Sequence, residues 1–108
     1  MPAFFLLSLA ILAEVGATIA LRVSEGFSRP MPSAIVVVGY GISFWFLALA
    51  LKDIPVSLTY AIWSGVGTAL VAVAGVVAFG ETMNVMKFAS LAIIVLGVAG
   101  LSAAGGAH

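Results

Sequence analysis

Residues 1–21 read MPAFFLLSLAILAEVGATIAL, and the one charged side chain among them is Glu14. About 20 apolar residues in helical conformation cross the hydrocarbon core of a bilayer, so this stretch reads as a membrane span with a carboxylate in its middle. The nearest basic residue in sequence is Arg22, eight positions on, about 12 Å along a helix at 1.5 Å per residue. An ionisable group inside a span costs about 2.5–3.5 kcal/mol on insertion scales, so it marks a functional site. The function expected of such a group is proton-coupled transport.

The rest of the chain repeats the pattern. Its 108 residues are 64% hydrophobic and 7% charged, with a mean hydropathy of +1.32, whereas soluble domains carry about 25% charged residues. Besides Glu14, the charges are Arg22, Glu25, Arg29, Lys52, Asp53, Glu81 and Lys87. They divide the chain into stretches 1–21, 30–51, 54–80 and 88–108, each able to span a bilayer. The fold class expected is an all-α membrane protein, one domain over residues 1–108. Its four transmembrane helices are placed at about 3–21, 33–51, 55–79 and 87–105. The location expected is the bacterial cytoplasmic (inner) membrane, multi-pass, with lipid as the surrounding partner.

Several classes of function fall away. A secretory signal is a poor reading of the first stretch, which has no basic leading segment and precedes three further spans. There is no cysteine for a disulfide or thiolate site, and the one histidine, His108, cannot build a metal site by itself. No glycine-rich phosphate loop follows a strand, and a net charge of zero gives no reason to expect nucleic-acid binding. No nucleophile–base pair is evident, so the chain is not expected to be an enzyme or to carry a cofactor or metal.

The linkers are short. RVSEGFSRPMP, residues 22–32, has Gly26 for a turn and ends in two prolines before a second helix beginning at Ser33. Lys52-Asp53-Ile54-Pro55 makes the second and third helices antiparallel neighbours, and Pro55 suits a first helical turn. With so little chain outside the bilayer, function lies within it. Linkers 1 and 3 carry Arg22, Arg29 and Lys87, while the opposite side has Lys52 and the N-terminal amine. This small difference in positive charge leaves open a single orientation or insertion both ways. The second would allow an antiparallel (dual-topology) homodimer, which supplies the inverted repeat that one four-helix chain lacks.

Helical periodicity groups the candidate site residues. Leu7, Ala10, Ile11, Glu14, Ala17, Thr18 and Leu21 share one face of the first helix. Thr18, one turn beyond Glu14, can hydrogen-bond to it or to its own backbone. Tyr60 and Trp63 share a face of the third helix, about 9 and 13 Å into the span. Trp63 is too deep for an interfacial belt. It is either a structural indole or, with Tyr60, an aromatic wall for a cation, where a contact contributes up to about 2 kcal/mol. Tyr40, with Ser43 and Phe44 on its face, can extend that wall, whereas Trp45 points elsewhere. Gly65 and Gly67 serve either as a hinge or as close-packing points. Ser90, Gly97 and Ala104 form a small-residue seam on the fourth helix, read as the dimer interface.

At these residues the chain resembles the small multidrug resistance family of bacterial proton-coupled exporters, from about Leu9 to Leu101. The blocks that carry the resemblance are AILAEVGAT around Glu14, SEGFSR in linker 1 and YAIWSGVG from Tyr60 to Gly67. The resemblance implies an antiparallel homodimer in which Glu14 of both protomers binds protons and cationic substrate competitively and Trp63 lines the pocket. Tyr40 within GYGISFW matches the branch exporting quaternary ammonium and other lipophilic cations. Ala17 stands where the guanidinium-exporting branch usually has a tryptophan. Phe4, Met31 and Ser90 depart from residues common in the multidrug branch. The alternatives are a guanidinium exporter of the same family, a non-transporting membrane subunit of a heterodimer, and a proton or cation channel, which would pass current without obligatory exchange.

Overall fold

A computed structural model describes residues 2–106, so His108 lies outside the described residues. The chain forms four helices: α1 (Ala3–Val23), α2 (Pro30–Ala50), α3 (Val56–Phe79) and α4 (Val85–Leu101), followed by a π-helical turn at Ser102–Gly106. Each is long and apolar enough to span a membrane, the fourth when counted as Val85–Ala104. The described chain falls into two compact units, divided between Asp53 and Ile54.

In the first unit α1 packs along α2. Without a hydrophobic driving force in lipid, such a pair depends on close packing and interhelical hydrogen bonds, and both are present. A Cβ added at Gly39 would lie 2.8 Å from the Ala17 Cβ and 3.4 Å from its Cα. One turn along α2, the buried Ser43 hydroxyl donates to the Ala10 carbonyl at 2.7 Å. Leu7, Ala10, Ile11 and Ala17 of α1 are buried, as are Val36, Ser43, Leu47 and Ala50 of α2.

The connection between them is ordered around Ser24, which is fully buried. Its hydroxyl donates to the Leu21 carbonyl at 2.7 Å and accepts from the Phe27 N–H at 3.1 Å. Its carbonyl accepts from the N–H groups of Ser28 and Arg29 at 3.0 and 3.2 Å. Glu25, Gly26 and Phe27 all have positive φ, 49°, 72° and 66°. Gly26 adopts this region freely, whereas Glu25 and Phe27 are held there by the surrounding bonds. Arg29 pairs with Glu25 at 3.2 Å.

Helix α2 begins at Pro30, three residues before the expected Ser33. By sequence alone the prolines belong to the linker. In the structure they occupy the first turn, where a missing N–H is no loss and φ is already helical.

In the second unit α3 runs without interruption from Val56 to Phe79. It ends at Gly80, whose φ of 67° is left-handed; the Gly75 carbonyl accepts from the N–H groups of Gly80 and Glu81. Asn84 caps α4, its side chain accepting from the Lys87 N–H at 2.8 Å, a contribution of about 1 kcal/mol. This cap starts α4 at Val85 rather than at the expected residue 87. Helices α3 and α4 meet at Gly65, where a Cβ would come within 2.6 Å of Val98 Cγ2 and 3.3 Å of Ile94 Cγ2. No residue of Val85–Leu101 is buried.

Candidate functional site

Glu14 sits midway along α1 and is half-buried. The Thr18 hydroxyl, one helical turn on, donates to Glu14 Oε1 at 3.0 Å. Of the two partners open to Thr18 in the sequence, the structure therefore has the carboxylate. The same Thr18 oxygen lies 2.7 Å from the Tyr40 hydroxyl of α2. The close approach of Gly39 to Ala17 makes this possible, because it brings Tyr40 level with Thr18 across the helix pair. The Tyr40 ring stacks on Phe44 at 6.4 Å between centroids, with planes 24° apart.

Glu14, Thr18 and Tyr40 thus form one polar cluster. Ser43 belongs to the same helix pair but is turned differently: it is fully buried and bonded to the Ala10 backbone. Its hydroxyl fixes α2 against α1. The sequence grouped Ser43 with Tyr40 because i, i+3 residues share a helix face. Which side of that face meets α1 is decided by helix–helix register.

On α3, Tyr60 and Trp63 form an edge-to-face pair, centroids 6.2 Å apart and planes at 72°, the arrangement aromatic quadrupoles favour. Tyr60 is 64% exposed, and Trp63 is half-buried. Gly65 and Gly67 follow, both buried; at Gly65 the packing against Val98 and Ile94 leaves no room for a side chain. Thr59, not singled out by the sequence, is fully buried, and its hydroxyl has no hydrogen-bond partner among the described residues.

Ser90 and Gly97 are exposed on α4, and the Ser90 hydroxyl donates back to the Met86 carbonyl. Ala104 is exposed as well, within the π-helical turn. Trp45, exposed on α2, stacks against Phe46 at 6.1 Å.

Four helices able to span a membrane, short connections and one carboxylate within the spans define a small multi-pass membrane protein. A family model described as Small Multidrug Resistance protein matches residues 2–94. The chain belongs to the small multidrug resistance family. Among its relatives, the quaternary ammonium compound-resistance protein QacE of Escherichia coli is 44% identical over 98 residues, covering 91% of this chain and 89% of the relative. QacF of Klebsiella aerogenes, described likewise, is 45% identical over 102 residues, with 94% and 93% covered. The multidrug resistance protein EbrA of Bacillus licheniformis is 45% identical over 95 residues, with 88% and 90% covered. Membership makes the chain a multidrug-resistance transporter of the bacterial inner membrane and not an enzyme.

Proposed function

We propose that this protein is a proton-coupled antiporter that exports lipophilic and quaternary ammonium cations. It works as an antiparallel homodimer in which protons and substrate compete for Glu14 of the two protomers. The observation that carries the reading is the half-buried Glu14 carboxylate, the one acid within the four spanning helices. A carboxylate removed from water must be matched by a proton or a cation. Two carboxylates sharing one site bind these ligands as a coupled pair. If the dimer re-exposes its site only when loaded, cation efflux is tied to proton entry.

The relatives named for quaternary ammonium resistance support the choice of bulky cations, as does Tyr40 within GYGISFW, which matches the branch that exports them. Tyr60 and Trp63 supply aromatic faces that attract a cation by their quadrupoles. Gly65 and Gly67 are the proposed hinge, with the tight contact at Gly65 as its fulcrum. The homodimer is supported by α4, whose exposed Ser90, Gly97 and Ala104 offer a seam for close helix packing.

The test is transport current from purified protein in proteoliposomes. Tetra-alkylammonium and aryl-phosphonium cations are compared with guanidinium, with Glu14→Gln as control. Glu14-dependent current for the bulky cations is expected, and Glu14→Gln abolishes proton-driven exchange. Retention of that exchange by Glu14→Gln would refute the assignment. Current for guanidinium alone would move the protein to the guanidinium-exporting reading. No current from any cation would favour a subunit that needs a second, different chain.

A further inference from the structure

Thr18 has one hydroxyl proton and two oxygen neighbours, Glu14 Oε1 at 3.0 Å and the Tyr40 hydroxyl at 2.7 Å. A carboxylate has no proton to offer and can only accept. The Thr18 proton is therefore committed to Glu14, and the Tyr40 proton must be the one shared with Thr18. The three groups form a directed chain from Tyr40 O–H to Thr18 O–H to Glu14 Oε1. Each donor in such a chain polarises the next and strengthens it.

We infer that Tyr40 is a positioning residue for Glu14, acting through Thr18, and that Glu14 Oε2 is the oxygen that takes the proton or faces the cation. This rests on the reading of Glu14 as the shared site of proton and substrate. The chain holds Oε1 from the α2 side and fixes the carboxyl plane. A proton arriving from solvent adds to Oε2, converting the carboxylate to a neutral acid, while Oε1 goes on accepting from Thr18. Addition at Oε1 would require the Thr18 and Tyr40 hydroxyls both to turn round. A cation likewise meets Oε2, and no proton passes along the chain in either exchange. The stacking of the Tyr40 ring on Phe44 restricts the phenol to the orientation this needs.

The arrangement separates two roles for Tyr40 that a single substitution confuses. As an aromatic wall it would touch the substrate directly; as a positioning residue it works only while Thr18 has its hydroxyl. The experiment is a double-mutant cycle of Thr18→Val and Tyr40→Phe in bilayer-reconstituted protein, with two readouts. One is the Glu14 carboxylate stretch in infrared spectra, isolated by subtracting the Glu14→Gln spectrum. The other is the Kd for an aryl-phosphonium cation.

Tyr40→Phe is expected to shift the stretch and weaken binding by about threefold, the size of one neutral hydrogen bond, and Thr18→Val by about tenfold, near the lower end for a hydrogen bond to a charged group. In the Thr18→Val background, Tyr40→Phe should neither move the band further nor change Kd. Thr18→Ser should restore the band that Thr18→Val shifts. Should Thr18→Val fail to fold, Thr18→Ala removes the same hydroxyl. Multiplicative losses in Kd, or a band unmoved by Tyr40→Phe, would overturn the inference. The infrared readout does not depend on transport, so it tests the chain even if the proposed exchange fails.

Discussion

The two helix pairs are held together by different chemistry. Helices α1 and α2 are joined by hydroxyls, Ser43 on the Ala10 carbonyl and Thr18 against Tyr40, around the close approach of Gly39 and Ala17. Their connection is itself fastened around the buried Ser24. Helices α3 and α4 meet where Gly65 receives the methyl groups of Val98 and Ile94, and α4 buries none of its side chains. A hydrogen bond fixes register to a fraction of an ångström, whereas methyl groups against a glycine permit sliding and rotation. Precision is thus concentrated in the pair that holds Glu14, where the orientation of a carboxylate matters most.

The sharpest way to break this contrast is to place a methyl at each glycine. Gly39→Ala sets two Cβ atoms against one another, and Ala17 has no side-chain freedom with which to yield. We expect a loss of about 1–3 kcal/mol, the range for overpacking, in reversible unfolding from mixed detergent micelles. Ala17→Gly should recover most of it. Gly65→Ala meets the end of the Val98 side chain, which can leave its preferred rotamer at a cost of about 0.5–1.5 kcal/mol. Val98→Ala should relieve that loss in a double-mutant cycle.

Smaller effects sharpen the comparison. Ser43→Ala removes one interhelical hydrogen bond and should cost about 0.6 kcal/mol, near the average measured within membranes. Ile93→Ala and Leu96→Ala, at side chains 68% and 69% exposed, should change the stability of the isolated chain by less than about 0.5 kcal/mol. In the proposed dimer, any larger effect would appear as a change in dissociation, read by dilution in detergent. Thr59→Val has the opposite sign. Replacing a buried hydroxyl that has no partner among the described residues with an isosteric methyl should be neutral or stabilise by up to about 1 kcal/mol.

The sequence made the four helices legible because hydropathy depends only on which residues are consecutive. Glu14 was legible for the same reason, as a charge in an apolar run, and Thr18 because four residues bring it back to the same helix face. The link from Thr18 to Tyr40 was not, since it joins residues 22 apart and depends on the register that Gly39 and Ala17 set. Ser43 shares the face of Tyr40 in sequence, yet a rotation of α2 determines that it locks onto Ala10 instead. The prolines at positions 30 and 32 looked like linker because the signal that ends one helix also suits the first turn of the next. Positive φ at Glu25 and Phe27 left no trace in residue type, because the bonds of Ser24 impose it rather than any preference of those side chains.

The bare flanks of α4 have a consequence for descent. Since no side chain from Val85 to Leu101 is buried, substitutions away from the contact of Val98 and Ile94 with Gly65 are judged by lipid and by any neighbouring chain, with little veto from the fold. After a gene duplication, this is the helix where two copies can drift until each prefers the other to itself. Obligate pairs of unlike chains can arise that way while Glu14, Thr18 and Tyr40 stay unchanged in both.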